Sequence, residues 1–198
     1  MRVTGGVLLN RRVECPPGII RPSMDRMRES LFSIMNCKMS IDGSRWLDLF
    51  AGSGIISIEA ISRGASVSHL VELDRGKREV IKKNLEIIKS TKGSASLFIR
   101  DALKYLEQYK GESYNVIYAD PPFPMKGKEL MLSLVANNTD ILKNGSYFII
   151  HIPEEDLTLW KEEMGNLRLI DVRHYGRSTL VFYQKKLNVL DSWCPYPM

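Results

Sequence analysis

The chain has 198 residues, with 28 Lys or Arg and 23 Asp or Glu, which gives a formal net charge of +5 at pH 7. This length fits one domain, and a hydrophobic fraction of 44% with a charged fraction of 26% excludes wholesale disorder. Because no run of about 18 apolar residues and no apolar leader is present, we expect a cytoplasmic protein without a membrane span or signal peptide.

The cysteines and histidines point to no metal or disulfide chemistry. Cys15, Cys37 and Cys194 are odd in number, far apart and outside any C-x-x-C pair. The three histidines show no metal-ligand spacing. We therefore expect reduced cysteines and no bound metal.

Residues 1–44 differ from the rest of the chain. Residues 1–14 indicate a short β-hairpin, a Pro/Gly-rich loop follows, and a helix is predicted from about Ser23, a suitable N-cap, to Met35. Arg28 lies at the edge of the apolar stripe of this helix, so it either pairs with a carboxylate or contacts a ligand. The first 30 residues contain six arginines and no lysine: Arg2, Arg11, Arg12, Arg21, Arg26 and Arg28. Guanidinium groups grip phosphate well, although such a cluster also fits a solvated basic surface.

After residue 44, short apolar runs alternate with helical patterns, which indicates βαβ units and a mostly parallel sheet with helices on both faces. The predicted strands are 46–50, 67–73, 95–100, 114–120, 145–152, 167–175 and 178–184. Helices are predicted near 54–64, 76–90, 102–110, 126–142 and 154–165. Only Gly176 and Arg177 join the last two strands, so they form an antiparallel hairpin. We expect an α/β fold with a seven-stranded sheet in residues 45–186, an N-terminal extension in 1–44 and an unassigned tail in 187–198.

A glycine turn follows the first predicted strand, in Asp48-Leu49-Phe50-Ala51-Gly52-Ser53-Gly54. Its glycines let the backbone turn tightly and approach a ligand. Ser57 replaces the third glycine of the dinucleotide fingerprint, and no G-K-[ST] is present. The Asp48 carboxylate would repel a pyrophosphate and suits a sulfonium or ammonium, so we expect S-adenosyl-L-methionine as the cofactor.

Two further acids follow the next two strands. Glu72 ends the second strand, where a carboxylate can accept hydrogen bonds from both ribose hydroxyls. Asp101 follows the third strand, where it can read an adenine amine or simply cap the next helix. Ligands of open α/β sheets bind at this edge, which favours a shared site.

The segment Asp120-Pro121-Pro122-Phe123 directly follows the fourth strand. Two consecutive prolines make a stiff turn whose carbonyls are free acceptors. The Asp120 carboxylate and the Pro121 carbonyl can each accept one proton of a planar exocyclic amine, and Phe123 can stack on an extruded base. A Pro-rich turn without a catalytic role is the alternative.

These motifs together resemble a known family. Four segments after residue 44 resemble those of class I, Rossmann-like S-adenosylmethionine-dependent methyltransferases: DLFAGSGIISIEAISRGA, VELDRGKREVIKKNL, RDAL and YADPPF. The N-terminal part resembles the signature of the bacterial 16S rRNA guanine-N2 methyltransferases, the RsmD-like family, in the segments RVTGG, NRR, CPPG and RPSMDRMRESLFSIM. The resemblance runs from Arg2 to about Lys185.

The resemblance implies methylation of the exocyclic N2 of one guanine of 16S rRNA, guanine 966 in the family, within the 30S subunit or a late assembly intermediate. Because no long apolar surface stripe demands a partner, we expect a monomer. The implied catalytic residues are Asp120, Pro121, Pro122 and Phe123. The implied cofactor residues are Asp48, Phe50, Gly52, Gly54, Glu72, Leu73, Asp101, Ala102 and Asp120. Candidate RNA contacts are Arg11, Arg12, Arg21, Arg26 and Arg28.

Three other functions remain open. D-P-P-[FY] also orients the adenine of a DNA adenine-N6 methyltransferase, which normally carries a target-recognition insertion. A protein glutamine methyltransferase prefers Asn at the position of Asp120. A non-catalytic RNA-binding assembly factor could retain the same fold.

Overall fold

The structure is a computed structural model that describes residues 1–15 and 22–187, with side chains described from residue 25 onward in the second range. The candidate RNA contact Arg21, most of the Pro/Gly loop and the tail beyond residue 187 therefore lie outside the described residues. The prediction that Ser23 is an N-cap is wrong, because the first helix already begins at Pro22 and Ser23 lies inside it.

The described residues form five α-helices and one eight-stranded sheet. The helices are α1 Pro22–Lys38, α2 Ile55–Ser62, α3 Arg78–Leu85, α4 Ala102–Gln108 and α5 Leu130–Asn137. The strands are β1 Arg45–Leu49, β2 Val67–Glu72, β3 Ser94–Ile99, β4 Tyr114–Ala119, β5 Leu142–Pro153, β6 Glu163–Met164, β7 Leu167–Tyr175 and β8 Ser178–Lys185. Short 3-10 helices span Arg75–Lys77, Glu86–Ser90 and Glu154–Leu159.

The strand order is β3-β2-β1-β4-β5-β8-β7-β6. The first five strands run parallel, and β8, β7 and β6 add antiparallel pairs at one side. Because successive strand residues face opposite sides, Trp46 packs with α1 and α2 while Leu47 packs with α4 and α5. The predicted α/β fold with a mostly parallel sheet and a C-terminal hairpin is confirmed.

Two helices predicted after residue 125 were wrong in detail. The helix predicted at 154–165 is a 3-10 helix to Leu159 followed by the short β6, because Gly165 at φ 56° makes the turn that pairs Met164 with Leu167. This adds the eighth strand. The helix predicted at 126–142 begins only at Leu130, after Gly127 at φ 74°.

The predicted N-terminal hairpin is a turn-rich antiparallel loop rather than two regular strands. Its isolated bridge joins Arg2 to Arg12, and the Val3 amide donates to the Arg11 carbonyl at 3.0 Å. The loop therefore pairs its two ends as expected, without regular strands in the described residues.

Glu59 of α2 ties this N-terminal segment to the sheet domain. Its fully buried carboxylate accepts hydrogen bonds from the Thr4 amide and hydroxyl, both at 2.8 Å, and from Arg28 Nε at 2.9 Å. The Arg63 guanidinium donates to the other oxygen. A buried carboxylate is stable only when paired in this way, so the segment and α1 dock on α2 through these bonds.

Arg28 is consequently a structural residue. It is 3% exposed, and its other two nitrogens donate to Asp25 Oδ1 and to the Arg2 carbonyl, each at 2.9 Å. Of the two roles predicted for Arg28, the structure contains pairing with carboxylates, those of Glu59 and Asp25. The expectation that Arg28 contacts RNA is wrong, because every nitrogen of the guanidinium is already engaged inside the protein.

The substitution Arg28→Ala tests this assignment. Removing one partner of a buried ion pair leaves the other charge poorly compensated, so the free energy of unfolding should fall by about 3–5 kcal/mol. Arg26→Ala, at an exposed position of the same helix, should change it by less than about 0.5 kcal/mol. Urea unfolding measures both variants, and similar stability for the two would contradict the structural role.

Candidate active site

The carboxyl ends of the central parallel strands place the predicted site residues together. Leu49 of β1 pairs with Val71 of β2 and with Ala119 of β4, and Ala119 pairs with Ile150 of β5. The residues that follow these partners are therefore neighbours at one edge, which is where open α/β sheets bind ligands.

The glycine turn leaves β1 with three residues in the left-handed region. Phe50, Gly52 and Gly54 have φ values of 62°, 60° and 80°. A Cβ added at Gly54 would lie only 3.1 Å from the Leu70 side chain, whereas one at Gly52 would meet no heavy atom closer than 3.8 Å. Gly54 thus permits close packing of the turn on the sheet, while Gly52 leaves open space above it.

Glu72 is the acceptor that holds the turn in place. Its carboxylate accepts hydrogen bonds from the Gly52 and Asp74 amides, each at 2.9 Å, and from Lys77 Nζ at 3.3 Å. A carboxylate offers about four acceptor positions, so Glu72 retains capacity for a further donor. The Lys77 side chain is one-third exposed and can move aside for one.

Asp48 lies beneath the turn rather than in the cleft. The side chain is 2% exposed, and its Oδ2 accepts hydrogen bonds from the Ser57 hydroxyl at 3.0 Å and the Ser57 amide at 3.3 Å. Burial raises the pKa of Asp48 to about 7, against the opposing effect of the Ser57 hydrogen bonds and with a smaller contribution from the negative charges of Asp120 and Glu72. A nearby cation would favour the ionised form.

The D-P-P-F segment begins one residue past β4. The Asp120 amide donates to the Leu49 carbonyl at 3.3 Å, and one carboxylate oxygen, Oδ1, accepts a hydrogen bond from His151 Nδ1 at 2.8 Å. Farther along, buried Lys128 donates to the Phe123 carbonyl at 2.6 Å and also pairs with Asp156. The loop is thereby fixed at both ends, which preorganises it for a ligand.

A cleft of about 340 Å³ opens between the two motifs. Its walls bring together the predicted residues Phe50, Glu72 and Asp120 to Phe123. They also include four residues not predicted for the site: Lys77, Pro124, His151 and Ser178. The sequence contained no signal for His151, because its proximity to Asp120 follows from the register between β4 and β5.

Two residues predicted to contact the adenine of the cofactor, Asp101 and Ala102, do not line this cleft. The Asp101 carboxylate accepts a hydrogen bond from the Lys104 amide at 2.9 Å and thus caps α4, the alternative weighed from the sequence. Ala102 is buried at the start of the same helix. Leu73, by contrast, is 62% exposed beside Glu72 and presents an apolar surface at the same edge.

Three of the arginines predicted to contact RNA lie on the surface. Arg11, Arg12 and Arg26 are exposed, unlike Arg28. No cluster of three or more potential metal ligands occurs among residues 1–15 and 22–187. Within those same residues, no helix has both the length and the apolar character needed to cross a membrane.

Comparison with known proteins identifies the family. The model of a family described as conserved hypothetical protein 95 matches residues 1–184. The chain belongs to this family. It is 36% identical over 140 residues to ribosomal RNA small subunit methyltransferase D of Escherichia coli K12, covering 70% of this chain and 68% of that protein. The Haemophilus influenzae protein of the same name is 32% identical over 151 residues, which cover 73% of this chain and 77% of the relative.

Solved structures agree with this family assignment. The structure of yhhF from Escherichia coli matches with a TM-score of 0.80 and 29% identity, covering 95% of this chain and 99% of that one. Magnesium protoporphyrin IX methyltransferase of Synechocystis, solved with bound S-adenosylmethionine, matches with a TM-score of 0.65 at 12% identity, a likeness of fold alone. The resemblance to RsmD-like methyltransferases found in the sequence is confirmed.

The residues at the strand ends fit S-adenosylmethionine. Two buried carboxyl groups, Asp48 and Glu72, complement a cationic cofactor, and the open space above Gly52 allows a ligand to approach the backbone. Glu72 has spare acceptor capacity for ribose hydroxyls, and exposed Leu73 offers an apolar surface to an adenine ring.

The titration of Asp48 is open to a direct test. Its pKa is raised above the ordinary value of 3.8 to about 7, so the folded protein binds this proton more tightly than the unfolded chain does. The free energy of unfolding should therefore fall as pH rises from about 4 to about 7, with a contribution from this group on the order of 4 kcal/mol.

Asp48→Asn removes that titration. We expect urea unfolding of the variant to depend less on pH across this window and its stability to exceed that of wild type above about pH 7. Asp140→Asn, at an exposed position, should keep the wild-type slope. Equal slopes for Asp48→Asn and wild type would contradict the raised pKa.

Proposed function

We propose that this chain transfers a methyl group from S-adenosylmethionine to the exocyclic N2 of a guanine in 16S rRNA. The observation that carries the proposal is the cleft that Glu72, Asp120 and Pro121 line together with Phe50 of the glycine turn. Family membership and the rRNA methyltransferases among the relatives support rRNA as the substrate. Guanine 966 is the position that the family resemblance suggests.

The protein would act mainly by positioning. S-adenosylmethionine supplies a methyl group already activated on a sulfonium. Glu72 would hold the ribose, and Asp120 Oδ2 and the Pro121 carbonyl would each accept one proton of the guanine amine. That geometry points the nitrogen lone pair at the methyl carbon, so that the N–C bond would form as the S–C bond breaks. S-adenosylhomocysteine would leave as the neutral thioether, and the methylated nitrogen would release one proton through the Asp120 carboxylate. Holding the reactants in line supplies much of the rate enhancement. Phe123, fixed through its carbonyl by Lys128, would stack on the extruded base.

The rival functions have less support. The connections between described strands hold no inserted domain of the kind that DNA adenine methyltransferases use to recognise their targets. Position 120 carries a carboxylate, whereas glutamine methyltransferases prefer an amide. A non-catalytic assembly factor would have no use for a cleft that retains Glu72, Asp120 and the preorganised proline turn.

The N-terminal segment would grip the RNA. Arg11 and Arg12 are exposed on the loop docked to α2 through Glu59, and Arg26 is exposed on α1. Bidentate guanidinium contacts to phosphate suit such positions. Arg21 is proposed as a further RNA contact. We also propose that the protein acts as a monomer on the 30S subunit or a late assembly intermediate.

Asp120→Ala tests the amine-orienting role. The variant should lose at least roughly 100-fold in methyl transfer to 16S rRNA, because the amine is no longer oriented, while its S-adenosylmethionine affinity changes little. Transfer of labelled methyl and calorimetric cofactor binding measure the two effects. Asp140→Ala, on an exposed loop at the opposite edge of the sheet, is the matched control. Unimpaired transfer by Asp120→Ala would remove the role of this carboxylate.

A further inference from the structure

His151 stands out among the groups to which no function has been given. It lies on β5 one residue past Ile150, the partner of Ala119, and therefore beside Asp120. The residue is 4% exposed, and the Phe123 ring lies edge-on at 5.4 Å between centroids. His151 thus contacts both of the side chains proposed to hold the guanine.

The two ring nitrogens have opposite surroundings. Nδ1 lies 2.8 Å from Asp120 Oδ1, and since an ionised carboxylate only accepts hydrogen bonds, Nδ1 carries the proton of that bond. Nε2 is buried and has no hydrogen-bond partner among the described residues. An unsatisfied buried nitrogen costs free energy, so a residue selected for packing alone would be apolar.

We propose that His151 is a positioning residue for methyl transfer, acting through Asp120. The inference rests on the proposed function and extends it. By occupying Oδ1, the imidazole fixes the rotation of the carboxylate and leaves Oδ2 directed to the substrate amine. The edge-on contact with Phe123 links the orientation of the carboxylate to that of the stacking ring.

This arrangement separates catalysis from cofactor binding. His151 has no hydrogen bond to Glu72, to the glycine turn or to any residue that would hold the ribose, within the part of the chain that the structure describes. Losing the Nδ1 donor should therefore lower the rate of transfer and leave the affinity for S-adenosylmethionine unchanged.

Two substitutions distinguish positioning from packing. His151→Leu fills a similar volume without a donor, whereas His151→Asn retains an amide that can reach Asp120. We expect kcat of His151→Leu on 16S rRNA to fall roughly 10- to 100-fold, with cofactor affinity within about twofold of wild type. His151→Asn should recover most of the loss. Thermal unfolding of both variants, measured in parallel, reports any general effect on packing.

Each outcome bears on a different claim. Equal kcat for wild type and His151→Leu would overturn the role of His151, as would an equal loss in both variants accompanied by a matching fall in thermal stability. If wild-type protein itself transferred no methyl group to rRNA, the proposed function would fail instead. Loss in His151→Leu with recovery in His151→Asn supports the inference.

Discussion

The active site depends on the register of adjacent parallel strands. Leu49, Val71, Ala119 and Ile150 lie across from one another, so the chain leaves β1, β2, β4 and β5 at one edge and places the glycine turn, Glu72, Asp120 and His151 within reach of a single ligand. A shift of one residue in any strand would turn its side chains to the opposite face. The buried strands therefore specify the site as well as the core.

A second constraint joins the N-terminal segment to that sheet. The Glu59 carboxylate sits between two guanidinium groups and the Thr4 amide, with no exposed surface. Asn84 adds a link, because its amide donates to the carbonyls of both Glu14 and Ser53. These hydrogen bonds thus connect the N-terminal segment, which carries Arg11 and Arg12, to the glycine turn. The proposed RNA-binding and cofactor-binding elements are therefore fixed relative to each other.

Features with local chemistry could be predicted from the sequence, and features set by tertiary contacts could not. The alternation of strands and helices, the glycine turn and the D-P-P-F segment are each determined by residues that are close together in the sequence. For Arg28 the sequence left two possible roles, pairing with a carboxylate or contact with a ligand, because its partner Glu59 is 31 residues away in the chain. His151 was missed because only the pairing of β4 with β5 brings it to Asp120, and the helix expected at 154–165 gave way to the turn at Gly165.

The most direct test of the central claim is methyl transfer to several substrates in parallel. Labelled S-adenosylmethionine would be incubated with the protein and unmodified 30S particles, naked 16S rRNA, DNA or protein, and the products digested and identified. We expect label in the ribosomal RNA, recovered as N2-methylguanine. Label confined to DNA or protein, or no label despite intact cofactor binding, would contradict the account.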